Sequence, residues 1–192
     1  MAFAMACIVC LCAVAAFAAP PVAKNRDMIP ERTREEERLR QKAALLMEKA
    51  QKAERRGEYA EAVEAYEEAY EAFSGNVTPL LAWGDLHCRL GQYRQSQAVL
   101  KRVPLKLLPP AGQARVHLLF AKISAAAGGM AEAASSYGEA LKAQPDNATA
   151  RIRLALINEH FGSRQRSAEL LEGLRNRESV GYRDRVILLT LE

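Results

Sequence analysis

The sequence predicts an all-α fold, and three observations carry that reading. Aromatic residues make up only 6% of the 192 residues while alanine is abundant, a balance that suits closely packed helices better than a sheet sandwich. No run of alternating β-branched residues bounded by turn signals occurs anywhere, so no strand is expected. Gly57, Gly91, Gly128 and Gly162 recur at intervals of 34, 37 and 34 residues, each closing one helical stretch and preceding another.

The first element is an uncharged stretch, "MAFAMACIVCLCAVAAFAA", followed by Pro20 and Pro21. It matches the apolar core and small-residue end of a secretory signal peptide, with Ala16 and Ala18 forming an A-x-A cleavage site. Residues 1–18 are therefore expected to be a signal peptide or an N-terminal anchor. No Lys or Arg precedes the run, whereas Lys24, Arg26, Arg32 and Arg34 follow it, a bias that for a retained anchor would hold the rest of the chain in the cytoplasm. The expected location is export to a bacterial periplasm, with membrane anchoring as the alternative. Cys7, Cys10 and Cys12 lie inside the apolar stretch and are read as its small apolar residues, which leaves Cys88 alone in a cleaved chain.

Residues 19–30 contain prolines and no periodic apolar positions, which marks a flexible linker. Pro30 suits the first position of a helix, and "ERTREEERLRQKAALLMEKAQKAERR" then runs without a breaker to Gly57. Its first half carries opposite charges one turn apart, such as Arg32 with Glu36 and Glu36 with Arg40. Its second half turns apolar at helical spacing through Leu39, Leu46, Ala50 and Ala53, so it must pack on something.

From Gly57 onward the chain has an internal period. "GEYAEAVEAYEEAYEAF" places Ala62, Tyr66 and Ala69 behind Gly57, and "GGMAEAASSYGEALKAQP" places Ala133, Tyr137 and Ala140 behind Gly128. "LLAWGDLHCRLGQYRQSQAVL" supplies Trp83 and Gly84 before Gly91 and Tyr93, and "NATARIRLALINEHFGSRQRSAELLEGL" supplies Leu154 and Ala155 before Gly162, with Ala168, Leu171 and Leu174 after it. Phe120 and Ala121 fill the corresponding places before Gly128. In the first unit Lys49 stands where an apolar residue is expected. The longer second interval falls at "LKLLPPAGQ", where Pro109 and Pro110 break the helix and a longer turn is tolerated.

On these residues the chain resembles a tetratricopeptide repeat (TPR) protein over about residues 43 to 179, with residues 31–192 as the whole domain. The resemblance implies a right-handed superhelix of about four antiparallel helix pairs. A helix from about Tyr182 to Leu191 is expected to cap the last unit. Independently of family, helices approach closely only where one offers a small side chain, so Ala62, Gly84, Ala121, Ala133 and Ala155 should be contact points and Tyr66 and Tyr137 the bulk beside them.

Catalytic patterns are missing: there is no G-x-x-x-x-G-K loop, no G-x-S-x-G elbow and no H-E-x-x-H helix. His87 and Cys88 are neighbours, but adjacent helical residues diverge by about 100° and cannot form a dyad. His117 and His160 lack companions spaced for a metal. No enzymatic activity and no cofactor are expected.

Stacked helix pairs do create a concave surface lined by the first helix of each unit. Helical spacing projects Met47, Gln51, Leu81, Asp85, Cys88, Leu118, Lys122, Ile152, Arg153 and Leu156 toward it. Leu81, Leu118, Ile152 and Leu156 would form an apolar track edged by Arg115, Lys122 and Arg153, or alternatively pack between units. Such a track fits an amphipathic helix or extended peptide with some acidic residues. Some TPR proteins clamp a chaperone's C-terminal carboxylate; the matching places here read Met47, Gln51, Ala82, Arg115 and Leu119, of which only Arg115 is basic. The chaperone-tail clamp is therefore not expected.

The implied function is a protein-interaction scaffold in envelope, secretion or cell-wall assemblies, with an oligomeric adaptor built on the charged first helix as the alternative. The net charge of +4 is uneven, with 11 basic and 13 acidic residues up to position 80 and 16 and 10 beyond it. The acidic stripe Glu61, Glu64, Glu68 and Glu71 and the arginines of the last unit give the chain two oppositely charged ends that could promote self-association. Few aromatics accompany those arginines, so no nucleic acid is expected as a partner, and a membrane only through an uncleaved N-terminus.

Overall fold

The structure is a computed structural model that describes residues 31–172 and Leu174. The expected signal peptide, linker, helix-opening Pro30 and capping helix all lie outside the described residues. Contacts divide the chain between Glu36 and Glu37. Residues 31–36 form the opening turns of the first helix, and the packed helix pairs belong to the second unit, from Glu37 onward.

Among the described residues there are eight α-helices and no strand. They form four antiparallel pairs: α1 (Glu31–Arg56) with α2 (Tyr59–Ala72), α3 (Thr78–Arg89) with α4 (Tyr93–Leu100), α5 (Pro110–Ala126) with α6 (Met130–Ala143), and α7 (Ala148–His160) with α8 (Arg164–Leu171). From α2 onward consecutive helices pack together, α1 shares a core with α2 through Ala50, Ala53, Ala62 and Tyr66, and α3 also packs on α5. The predicted break before α5 is a 3-10 turn at Leu105–Leu107, after which Pro110 opens the helix where its missing N–H costs nothing.

The four periodic glycines each carry φ between +74° and +82°, and no other described residue has positive φ. A Cβ at any of them would meet nothing within 4 Å, so backbone conformation and not space demands glycine there. Gly84 serves the opposite purpose. Its φ is ordinary, but a Cβ would lie 2.6 Å from Leu100 Cδ2.

The small residues predicted as contact points are indeed buried: Ala62, Ala121, Ala133 and Ala155 are fully enclosed, as is Ala50 in the first unit. Ala50 explains the misfit at Lys49, which sits on the exposed side and pairs with Glu61 at 3.7 Å. Tyr66 and Tyr137 are buried beside them. In the second and fourth pairs the enclosed position of the outer helix is a serine. Ser96 Oγ donates to the Gly84 carbonyl at 2.7 Å, and Ser167 is buried in the same register. Ala168, singled out from the sequence, is exposed instead.

Candidate functional site: the face formed by the first helices

Met47, Gln51 and Glu54 on α1, Ala82, Asp85 and Arg89 on α3, and Arg115 on α5 line a common pocket of about 280 Å³ with Tyr66 of α2 behind it. Residues far apart in sequence meet because each occupies the same face of its own first helix. An ion network spans the pocket. Tyr66 donates its hydroxyl to Glu54 Oε2 at 2.9 Å, and Arg89 Nη2 bonds the other oxygen of Glu54. Asp85 Oδ2 lies 3.4 Å from Arg89 Nε and 3.7 Å from Arg115 Nη2.

The electrostatics follow from that arrangement. Burial, reinforced by the bond to Glu54, pushes the Tyr66 phenol well above its ordinary value, so it stays a donor. Burial works against the charge of Arg89, but the Glu54 bond and the fields of Glu54 and Asp85 outweigh it and hold the guanidinium more firmly charged. Both carboxylates are thus occupied by groups of the chain itself. The unspent capacity is cationic: Arg115 is half-exposed, with one long contact, and Arg55 completes the rim.

The residues projected onto this face, with Arg115 at its edge, divide into those that meet in the pocket, those that lie open further along, and those that are buried. Met47, Gln51, Asp85 and Arg115 come together in the pocket. Further along, Lys122 is exposed, while Leu118, Arg153 and Leu156 are partly exposed. Leu81 and Ile152 are corrections: Leu81 is 8% exposed inside the core of the first two pairs, and Ile152 is fully enclosed against Leu174. Each stands one turn before an open residue of its own helix, Asp85 and Leu156, but at a level where neighbouring side chains close over it, so packing claims the side chain. Cys88 is likewise buried, and burial raises its thiol pKa. Helical projection from the sequence missed Glu54 and Arg89. Their signal was a charge on an otherwise packed helix face, visible only once α1 and α3 are placed side by side.

His87 does not approach Cys88 chemically. Its Nε2 accepts from Trp83 Nε1 at 2.8 Å, and because indole N–H can only donate, the imidazole proton resides on Nδ1 and is given to Gln92 Oε1. This is a structural bridge from α3 to the start of α4.

Antiparallel helix pairs stacked through left-handed glycine turns, with an ion-lined inner face, define a helical-repeat solenoid of the interaction type. Two "Tetratricopeptide repeat" family models match the chain, over residues 53–123 and 118–179, and the chain belongs to that family. None of the curated proteins matches the chain by sequence. Similar solved structures include the crystal structure of MamA protein, at 18% identity and TM-score 0.62 over 78% of this chain and 80% of that one. Another is the first TPR of Spaghetti (RPAP3) bound to HSP90 peptide SRMEEVD, at 23% identity and TM-score 0.56 over 64% and 95%. A third is an O-GlcNAc transferase mutant from Thermobaculum terrenum, at 22% identity and TM-score 0.53 over 79% of this chain and 25% of that one. At these identities the likeness is one of fold.

Proposed function

We propose that the protein is a non-enzymatic interaction scaffold whose inner face holds a helical or extended segment of another protein, one with apolar anchors and acidic residues. The observation that carries this reading is the pocket on α1, α3 and α5: its carboxylates are satisfied internally, while Arg115 projects spare N–H donors. Leu118 and Leu156 extend the face with apolar surface, and the exposed Lys122 adds a cation without an ion-pair partner among the described residues. A similar fold, the RPAP3 domain, is bound to a peptide containing two glutamates and an aspartate, which supports the choice of guest.

The setting inferred for this scaffold is export or membrane attachment in an envelope or secretion assembly, a reading that rests on residues 1–18 alone. The mass of the N-terminus in protein purified from its own host tests it: cleavage near Ala18 supports export, and a retained Met1 contradicts export and favours membrane attachment.

The binding reading is tested by quantitative pull-down from the native host with the wild-type chain and with Leu118→Glu and Lys122→Glu. Partners recovered by the wild type should be lost from both variants. The same partners at the same yield with all three chains would overturn the proposal.

A further inference from the structure

The last two pairs hold an opening larger than the pocket on α1, α3 and α5. A crevice of about 640 Å³ lies between α6, α7 and α8, with Ala134, Leu141, Leu154 and Leu170 as its apolar walls. Arg151, Asn158, Arg166 and Glu169 stand around it.

The repeat itself shows how such a crevice is normally closed. Counted from the left-handed glycines, Leu141 is in register with Tyr70 and Leu154 with Trp83. Between the first two pairs those aromatic rings fill the space, and Arg102 lies across both, 5.0 Å from the Tyr70 ring and 5.5 Å from the Trp83 ring. At the later junction the rings are replaced by leucines, and the residue in register with Arg102 is Gly173. The same architecture is thus filled by rings at one junction and, among the described residues, left open at the other.

Gly138 is a second, independent sign. It lies in the interior of α6, one turn from both Ala134 and Leu141 on the crevice side, where glycine weakens a helix. A Cβ there would meet nothing within 4 Å among the described residues, so no packing among them requires it. Close approach by something else would.

We propose that this crevice is a second docking surface, for an amphipathic segment of a partner protein that inserts an aromatic side chain between Leu141 and Leu154 and sets carboxylates against Arg151 and Arg166. Charge decides the occupant. Arg151 spends only its Nε, on the Pro145 carbonyl, and Arg166 has no partner among the described residues, while Glu169 faces Gln165. Residues 175–192 of the chain itself carry four arginines against three carboxylates, and their seating in the crevice is the competing outcome, in which the test peptide finds no site.

The test uses the full chain and a fluorescent helical peptide carrying tryptophan and leucine on one face and glutamates on the other, followed by anisotropy. Saturable binding is expected, weakened about tenfold or more by Arg166→Glu, by the filled variant Leu141→Tyr with Leu154→Trp, and by a lysine version of the peptide. Lys122→Glu on the inner face should leave binding unchanged, which separates this surface from the proposed groove; Lys122 is exposed. Arg166 is exposed, so its variant keeps the fold even where the filled variant loses helicity on melting. No saturable binding, or binding moved by Lys122→Glu and not by Arg166→Glu, would overturn the proposal. So would sedimentation of the wild type as a dimer that the filled variant cannot form, since the occupant would then be a second copy.

Discussion

Leu100 of α4 closes over Gly84 of α3 so tightly that a methyl group on Gly84 would stand 2.6 Å from Leu100 Cδ2 and 2.8 Å from its Cγ. Leu100 is itself 1% exposed and has nowhere to go. Gly84→Ala therefore gains about 1 kcal/mol of helix propensity but meets an overpacking cost of about 1–3 kcal/mol. The expected outcome is a net loss of stability on urea melting. Leu100→Ala alone should cost about 2–5 kcal/mol, and the double variant should be less destabilised than the two losses together, because the added methyl occupies part of the vacated space. Strict additivity would mean that the two residues do not share this contact.

Two further glycines should respond in opposite directions. Gly138→Ala places a methyl in open space in a helix interior, so it should stabilise the chain by about 0.5–1 kcal/mol. Gly128→Ala meets no neighbour either, yet its φ of +82° should make it destabilising by about 1–2 kcal/mol. Equal effects in thermal melts would remove the distinction between glycines kept for conformation and glycines kept for other reasons.

That distinction also explains what could be read from the sequence. The period of the turn glycines, the buried alanines and the helix pairing were legible because each depends on one chain segment and its spacing. Ser96 and Ser167 were not, since a serine in an alanine position is recognisable only when its acceptor, here the Gly84 carbonyl, is in place. The inner face was half legible: Met47, Gln51, Asp85 and Arg115 converge, but helical projection cannot say where two neighbours close over a residue, and so it misjudged Leu81 and Ile152.

His87→Phe should leave the Trp83 indole N–H and the Gln92 amide without their shared partner. A buried donor left unpaired costs about 1–3 kcal/mol, so the variant should melt earlier and shift the emission of Trp83, the only tryptophan. Unchanged stability would show that the bridge between α3 and α4 contributes nothing.

Alkaline pH should expose the Tyr66–Glu54 bond. Burial and Glu54 raise the folded pKa of Tyr66 above the ordinary value near 10, so the folded chain holds this proton more tightly than the unfolded one. Its contribution is complete below the unfolded value and is lost as pH rises past roughly 10 toward the folded value. Tyr66→Phe should flatten the decline of the urea midpoint with pH in this window. An identical decline in wild type and variant would contradict the assignment.

The inner face can be tested most directly by photocrosslinking in the native host, with a benzoylphenylalanine at Lys122 and, in a separate chain, at Glu68 on the exposed side of α2. The expected result is a discrete protein adduct from position 122 that disappears when Leu118→Glu is added, and no such adduct from position 68. Adducts of equal yield from both positions, or none from position 122, would contradict the claim that this face receives a protein guest.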